Sequence, residues 1–430
     1  MDDLHNNFLA LRRGYYCPSF FKLGVETLFD LDNLNILGEA PFSTFFHEYI
    51  HFLQDITTTY GLMNCCIVVD RIKHVNHSLL ENKNDKTFKV PFDYSTDSIT
   101  TLNKDIQNVY LGQNPGMNQL DFIEIQFEES SVQLPAPYNK KLRKVVVYHY
   151  SSPGIVDTFD FGALCIIETM AHIAQKSISP SIDHDDVPYK AAIIVAKHIY
   201  SVIGDNQFYV FSLCDVCLMV YHPADAFYTM LHLMKDRDFV PTSELDIYNF
   251  VYDNTKAETV SLQDLFSRTV GLAIGQLSDY FTTDIFENER KWVKYVLLKA
   301  QEIRLTRPDF IVQIIKKGKA NTPEFAQLLD ELGTPLMVNL DSKSWFNPPK
   351  ELHGTDIHID RFAAIREIFY LYELGIKKCD LQNFCKLSPE GDITDNHCDG
   401  SPWERSKQKQ ICAYGAFWRT WGLSDYAPKN

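Results

Sequence analysis

The residues best equipped for chemistry lie in the stretch Ser43-Thr-Phe-Phe-His47-Glu48-Tyr-Ile-His51-Phe-Leu-Gln54-Asp55. On a helix, His47 and His51 fall on one face, one turn apart. Two imidazoles at that spacing can share one tetrahedral zinc ion, with Glu48 beside the open position. Such an ion polarises a water and a carbonyl, while the neighbouring carboxylate takes and returns the proton. The bland alternative is that His47, Glu48, His51 and Asp55 form the solvated face of a surface helix.

A second stretch carries an acid in an unusual setting. From Phe161 to Gln175 the pattern is strongly helical, with Asp160 as the expected N-cap. Glu168, His172 and Gln175 share a narrow stripe, whereas Ala163, Ile166, Ile167, Met170, Ile173 and Ala174 make the rest apolar. A helix apolar around most of its circumference is a buried one. Its carboxylate therefore needs a partner, either a basic side chain in a buried salt bridge or a metal ion. His172 reads either as a satisfied core histidine or as a group that acts at such a site.

His47-Glu48-x-x-His51 is the pattern H-E-x-x-H, and it resembles the zincin metallopeptidases. With Glu168 on a later helix, the resemblance is to the gluzincin branch, over residues 42–60 and 160–176. It implies a zinc ion bound by His47, His51 and Glu168, with Glu48 as general base. A metzincin-type third ligand is excluded, because Phe-Leu-Gln-Asp-Ile-Thr follows His51. Two features depart from the gluzincin pattern. The gap between His51 and Glu168 is long, and His172 stands one turn after Glu168 where an acid is usual. His172 is then expected to serve catalysis, by orienting a ligand or stabilising an oxyanion. Asp55 could receive a ring N–H from a zinc-bound histidine. Tyr148, His149, Tyr200, Tyr221 and His222 are further donors for an oxyanion. Glu81, Glu124, Glu128 and Glu129 compete as third ligand, but each lies in a polar or alternating context.

The elements that must position these groups follow from periodicity. A helix over 41–60 gathers Phe42, Phe45, Phe46, Tyr49, Ile50, Phe52, Leu53 and Ile56 on one face, with Pro41 in its first turn and Gly61 as its stop. Cys65–Val69 suits a buried strand or a core helix, and 81–105 reads as an exposed polar insertion. Asp121–Glu128 and Lys144–Tyr150 are β-like and could pair as a hairpin whose edge holds an extended peptide. Helical runs recur at 189–204, 208–235, 258–280, 289–305, 323–332 and 360–377. The expected class is α+β, mainly helical: a zincin-like core with a small antiparallel β region and a helical C-terminal half. Residues 1–235 would form the metallopeptidase region, with a β insertion at about 64–158, and 236–430 a helical region with an irregular Cys- and Trp-containing tail.

Composition narrows the partners. In 430 residues, 45% are apolar, enough for a large core, and the net charge is −15. Nucleic acid and anionic membrane are not the expected partners of so acidic a chain. Ten cysteines without a disulfide rhythm, no basic-then-apolar leader and no long apolar run suggest a cytoplasmic setting. Cys214 and Cys217 read as core residues. Cys379, Cys385, Cys398 and Cys412 could at most staple the tail with a structural zinc. The expected function is a zinc-dependent peptidase with a peptide or protein substrate; any regulatory partner is open. The competing readings are a metal-free interaction protein and a zinc hydrolase acting on a non-peptide amide.

Overall fold

The computed structural model describes residues 14–429 apart from 83, 96, 137, 258, 320–321 and 388–390. The residues read for a leader sequence lie outside the described ones. The chain is α+β and predominantly helical, with small sheets. Among the described residues, no helix is long and apolar enough to cross a membrane.

Strands β1 (Gly14–Cys17) and β2 (Lys22–Val25) form a tight antiparallel hairpin that leads into helix α1 (Glu39–Thr57). Glu39 sits in the first turn of α1, where a carboxylate complements the helix dipole. Contrary to the amphipathic reading, α1 is buried on nearly every side. Phe42, Phe45, Phe46 and Tyr49 surround Phe325, and the polar face is covered as well. Thr58 is extended and breaks the helix; its hydroxyl donates to Gln54 O and accepts from Gly61 N–H. Helix α2 (Thr59–Glu81) follows at once, so Gly61 lies inside a helix and is not a stop. Its missing side chain matters for a different reason. A Cβ there would sit 2.3 Å from Gln54 O, where α2 turns back across α1. Cys65–Val69 is part of α2, which settles its strand-or-helix ambiguity.

Helix α3 (Ser98–Leu111), capped by Asp97, occupies part of the expected polar insertion. Strands β3 (Phe122–Gln133), β4 (Lys141–Ser152) and β5 (Ile155–Phe161) then form an antiparallel sheet in that order. The hairpin was legible; β5, which leaves the sheet with β5 as an edge, was not. Asp160 belongs to β5 and pairs with Lys144 at 2.8 Å, so it does not cap the next helix. Helix α4 (Ala163–Ile178) starts instead at Gly162, whose backbone crosses the end of α3: a Cβ would lie 2.2 Å from Leu111 O.

The C-terminal half folds back onto this scaffold rather than forming a core of its own. Leu336–Val338 joins the first hairpin by pairing parallel with β2, and Ala427–Lys429 pairs parallel with Thr87–Lys89. Helix α5 (Gln207–Cys217) and helix α6 (Glu287–Thr306) meet the end of α1 through a fully buried ion pair. Arg304 binds Asp215 through two nitrogens at 2.7 and 2.9 Å and also donates to Thr57 O and Thr57 Oγ1. One continuous set of buried side chains spans both halves, from Tyr16 to Tyr426. The boundary expected near residue 235 therefore does not separate two cores.

Candidate metal centre

Helices α1 and α4 pack against each other, and this packing brings the two chemically suspect segments together. Nε2 of His47 lies 3.4 Å from Glu168 Oε2, and Nε2 of His51 lies 3.7 Å from the same oxygen. Among the described residues this is the one set of three His, Cys, Asp or Glu side chains with ligand atoms within 4.8 Å of one another, and it could hold a metal ion. Cys379, Cys385, Cys398 and Cys412 do not gather to that distance. Cys214 and Cys217 are fully buried core residues.

The electrostatics follow from the convergence. Burial disfavours a charged His51 ring, but the Glu168 carboxylate overrides it and, with Glu48 and the Gln54 carboxamide, draws the ring up to about 9. Burial likewise opposes ionisation of Glu168, yet His51 and His47 hold that carboxyl well below the usual range. In the metal-free chain the proton on His51 thus compensates Glu168. A divalent cation would take the proton's place, since imidazole ligands bind metal in their neutral form.

The residue that orients His51 is Gln54, not Asp55. Gln54 Oε1 lies 2.8 Å from His51 Nδ1, while its Nε2 donates to Ile167 O at 3.1 Å. A carbonyl can only accept, so the carboxamide oxygen must face the ring, and Nδ1 must carry a hydrogen. That directs the other ring nitrogen, Nε2, toward Glu168. The same side chain bridges α1 to the residue immediately before Glu168. Asp55 instead accepts from Tyr16 Oη at 2.9 Å and from Ser19 N–H at 2.7 Å. Burial lifts its carboxyl to about 7, against the lowering effect of those two bonds.

These groups open onto a cavity of about 1140 Å³ whose wall includes His47, Glu48, His51 and Glu168. Glu48 is 6% exposed, which removes the solvated-face reading. His172 does not line the cavity. It is 2% exposed and its Nδ1 lies 2.9 Å from Nδ1 of His184, which does. Burial and the neighbouring His184 push His172 down to about 3, so the ring is neutral. One turn along α4 from Glu168, His172 meets the cavity wall through His184. His184 stacks on Tyr189 with ring centroids 4.5 Å apart, and both rings stand near His47, at 5.9 and 6.2 Å. No periodic signal marks these two, since both lie in a loop between helices. No family model, curated protein or solved structure matches the chain.

The remaining candidates are elsewhere. Tyr148 bonds Glu128, Tyr200 bonds Phe239 O and His222 bonds Arg143 O; His149 and Tyr221 also lie away from the cavity. Glu81 pairs with His77 and Glu129 with Lys141, and Glu124 lies on β3 outside the cavity wall. None of these competes with Glu168.

Proposed function

We propose that this protein is a zinc-dependent peptidase with a gluzincin-like ligand set. The observation that carries the reading is the convergence of His47 Nε2, His51 Nε2 and Glu168 Oε2 beside Glu48 on the wall of one cavity. Two imidazoles and one carboxylate are the donor set of a catalytic zinc, which leaves a fourth position for water or substrate. A zinc ion held there would polarise that water and the scissile carbonyl.

The side chains supply the rest of the chemistry. Glu48 takes the proton from the attacking water and passes it to the departing amine. Tyr189 and His184 are the donors on the His47 side of the cavity, suited to the oxygen that becomes anionic as the carbonyl is attacked. Burial, then the neighbouring His47, pushes His184 down to about 4, so its ring is neutral. The substrate is a peptide or protein: Thr158, Phe159 and Asp160 of the edge strand β5 line the cavity, and there Gln113 already pairs with Asp160 as a neighbouring strand would, its N–H donating to Asp160 O and its Oε1 accepting from Asp160 N–H.

The test is zinc content and peptide hydrolysis in the wild type, Glu48→Gln and His47→Ala. Glu48→Gln should keep stoichiometric zinc and lose at least about a hundredfold in turnover, in line with loss of a general base. His47→Ala should lose the metal. A wild-type protein that binds no zinc, or full hydrolysis by Glu48→Gln, refutes the reading. Hydrolysis of small amides but of no peptide would favour the non-peptide alternative.

A further inference from the structure

The cavity wall has a charge pattern that bears on which part of a polypeptide it would accept. Among the described residues that line it there is no Lys and no Arg. Five carboxylates line it, and each is already engaged. Glu48 and Glu168 belong to the reacting centre. Asp160 is paired with Lys144 Nζ at 2.8 Å, and Asp183 with Lys190 Nζ at 2.7 Å. Asp55 is shared between Tyr16 and Ser19. Outside the His47, His51 and Glu168 set, a substrate's terminal carboxylate entering this space would find no cationic side chain on the wall, and a terminal ammonium would find no carboxylate without a partner. Bringing an ion out of water without a counter-ion is costly.

The neutral groups point the same way. Asn64, Gln107, Asn108, Gln113 and Asn114 give one part of the wall a run of carboxamides. A carboxamide carries both a donor and an acceptor, which matches the N–H and C=O of a peptide backbone. Asn64 Oδ1, Gln113 Oε1 and Asn114 Oδ1 already accept from Gln107 Nε2, Asp160 N–H and Gly116 N–H. Gln107 donates to Asn64 Oδ1, and its own Oε1 is buried with no hydrogen-bond partner. Tyr16, Phe20, Phe369 and Tyr370 add aromatic rings to the lining, with Tyr16 stacked 6.3 Å from the His51 ring. Such a surface suits an apolar side chain.

We propose that the cavity admits an uncharged, internal stretch of polypeptide, so that the protein cuts as an endopeptidase and disfavours bonds next to a chain end or to acidic or phosphorylated side chains. This rests on the peptidase reading and narrows its substrate class. The test uses the zinc-loaded full chain and short peptide libraries of identical sequence, with the C-terminus free or amidated and the N-terminus free or acetylated. Products are mapped by mass spectrometry, and retention of the same peptides by Glu48→Gln is measured in parallel. Central bonds should be cut at rates that blocking the ends leaves within about twofold. Bonds within two residues of a free carboxylate should be cut about tenfold more slowly than in the amidated partner, the equivalent of about 1.4 kcal/mol. Asn108→Lys, which adds an ammonium to the wall, should narrow that gap.

Equal or faster cutting beside a free carboxylate, or acidic residues enriched at the cut, overturns the inference and leaves the peptidase reading standing. No cleavage of any library, with no peptide retained by Glu48→Gln, overturns both.

Discussion

Gln54 offers the sharpest test of how the centre is held. Its carboxamide makes three hydrogen bonds, to His51 Nδ1 at 2.8 Å, to Ile167 O at 3.1 Å and to Met170 Sδ at 3.5 Å. Gln54→Leu keeps most of the volume and removes all three. It leaves the His51 ring N–H without a partner, worth about 1–3 kcal/mol when buried, while Ile167 O keeps its place in the backbone ladder of α4. It also frees His51 to rotate, and loss of such an orienting partner costs about 10–100-fold in metal affinity. Gln54→Glu separates the two effects. The carboxylate still accepts from His51 but has no donor for Ile167 O, so stability should fall while zinc affinity stays closer to wild type. The assays are urea unfolding of the metal-free protein and zinc competition against a chromophoric chelator. The expected order of zinc affinity is wild type, then Gln54→Glu, then Gln54→Leu. If Gln54→Leu binds zinc as tightly as wild type, the role given to this bridge is wrong, whatever happens to stability.

Three further outcomes follow from other contacts. Arg304→Met strands the buried Asp215 carboxylate and frees the end of α1, and should cost about 3–5 kcal/mol in urea unfolding, whereas the double change with Asp215→Leu should recover much of it; equal losses would refute the pairing. A Cβ on Gly14 would lie 2.9 Å from Glu48 Oε1 and 2.7 Å from Thr44 Cγ2, so Gly14→Ala should displace the Glu48 carboxylate. Zinc content should persist while turnover falls, and unchanged turnover would show that Glu48 does not depend on this close approach. Asp55, at about 7 in the folded chain, binds a proton that the unfolded chain releases near pH 4. Its contribution to stability therefore declines as pH rises from about 4 through 7. Asp55→Asn should flatten that part of the stability–pH curve, read as the difference from wild type in urea titrations at several pH values; identical slopes would count against a raised carboxyl.

Much of the candidate metal set was readable along the chain because local periodicity encodes it. His47 and His51 share a face whenever residues 39–57 are helical, and the aromatic content of that segment guarantees burial. Glu168 was legible for a related reason: a single acid in an otherwise apolar helix advertises a compensating partner. The helical runs of the C-terminal half were likewise marked by their own patterns and by Gly and Pro breaks. Local pattern failed at the boundaries. Gly61 resembles a stop but is required by the crossing of two helices, and Asp160 resembles a cap but is held in a strand by Lys144.

What the sequence by itself determined was the chemistry available: two imidazoles, a neighbouring carboxylate and a buried acid with no partner in its own helix. Tertiary structure alone decided that α1 and α4 meet and that Gln54 rather than Asp55 orients His51. It also decided that His184 and Tyr189 reach the cavity in place of His172. Those choices depend on how rigid elements cross and on which loops close over them. Such contacts join residues far apart in the chain, and no periodicity within either segment carries their positions.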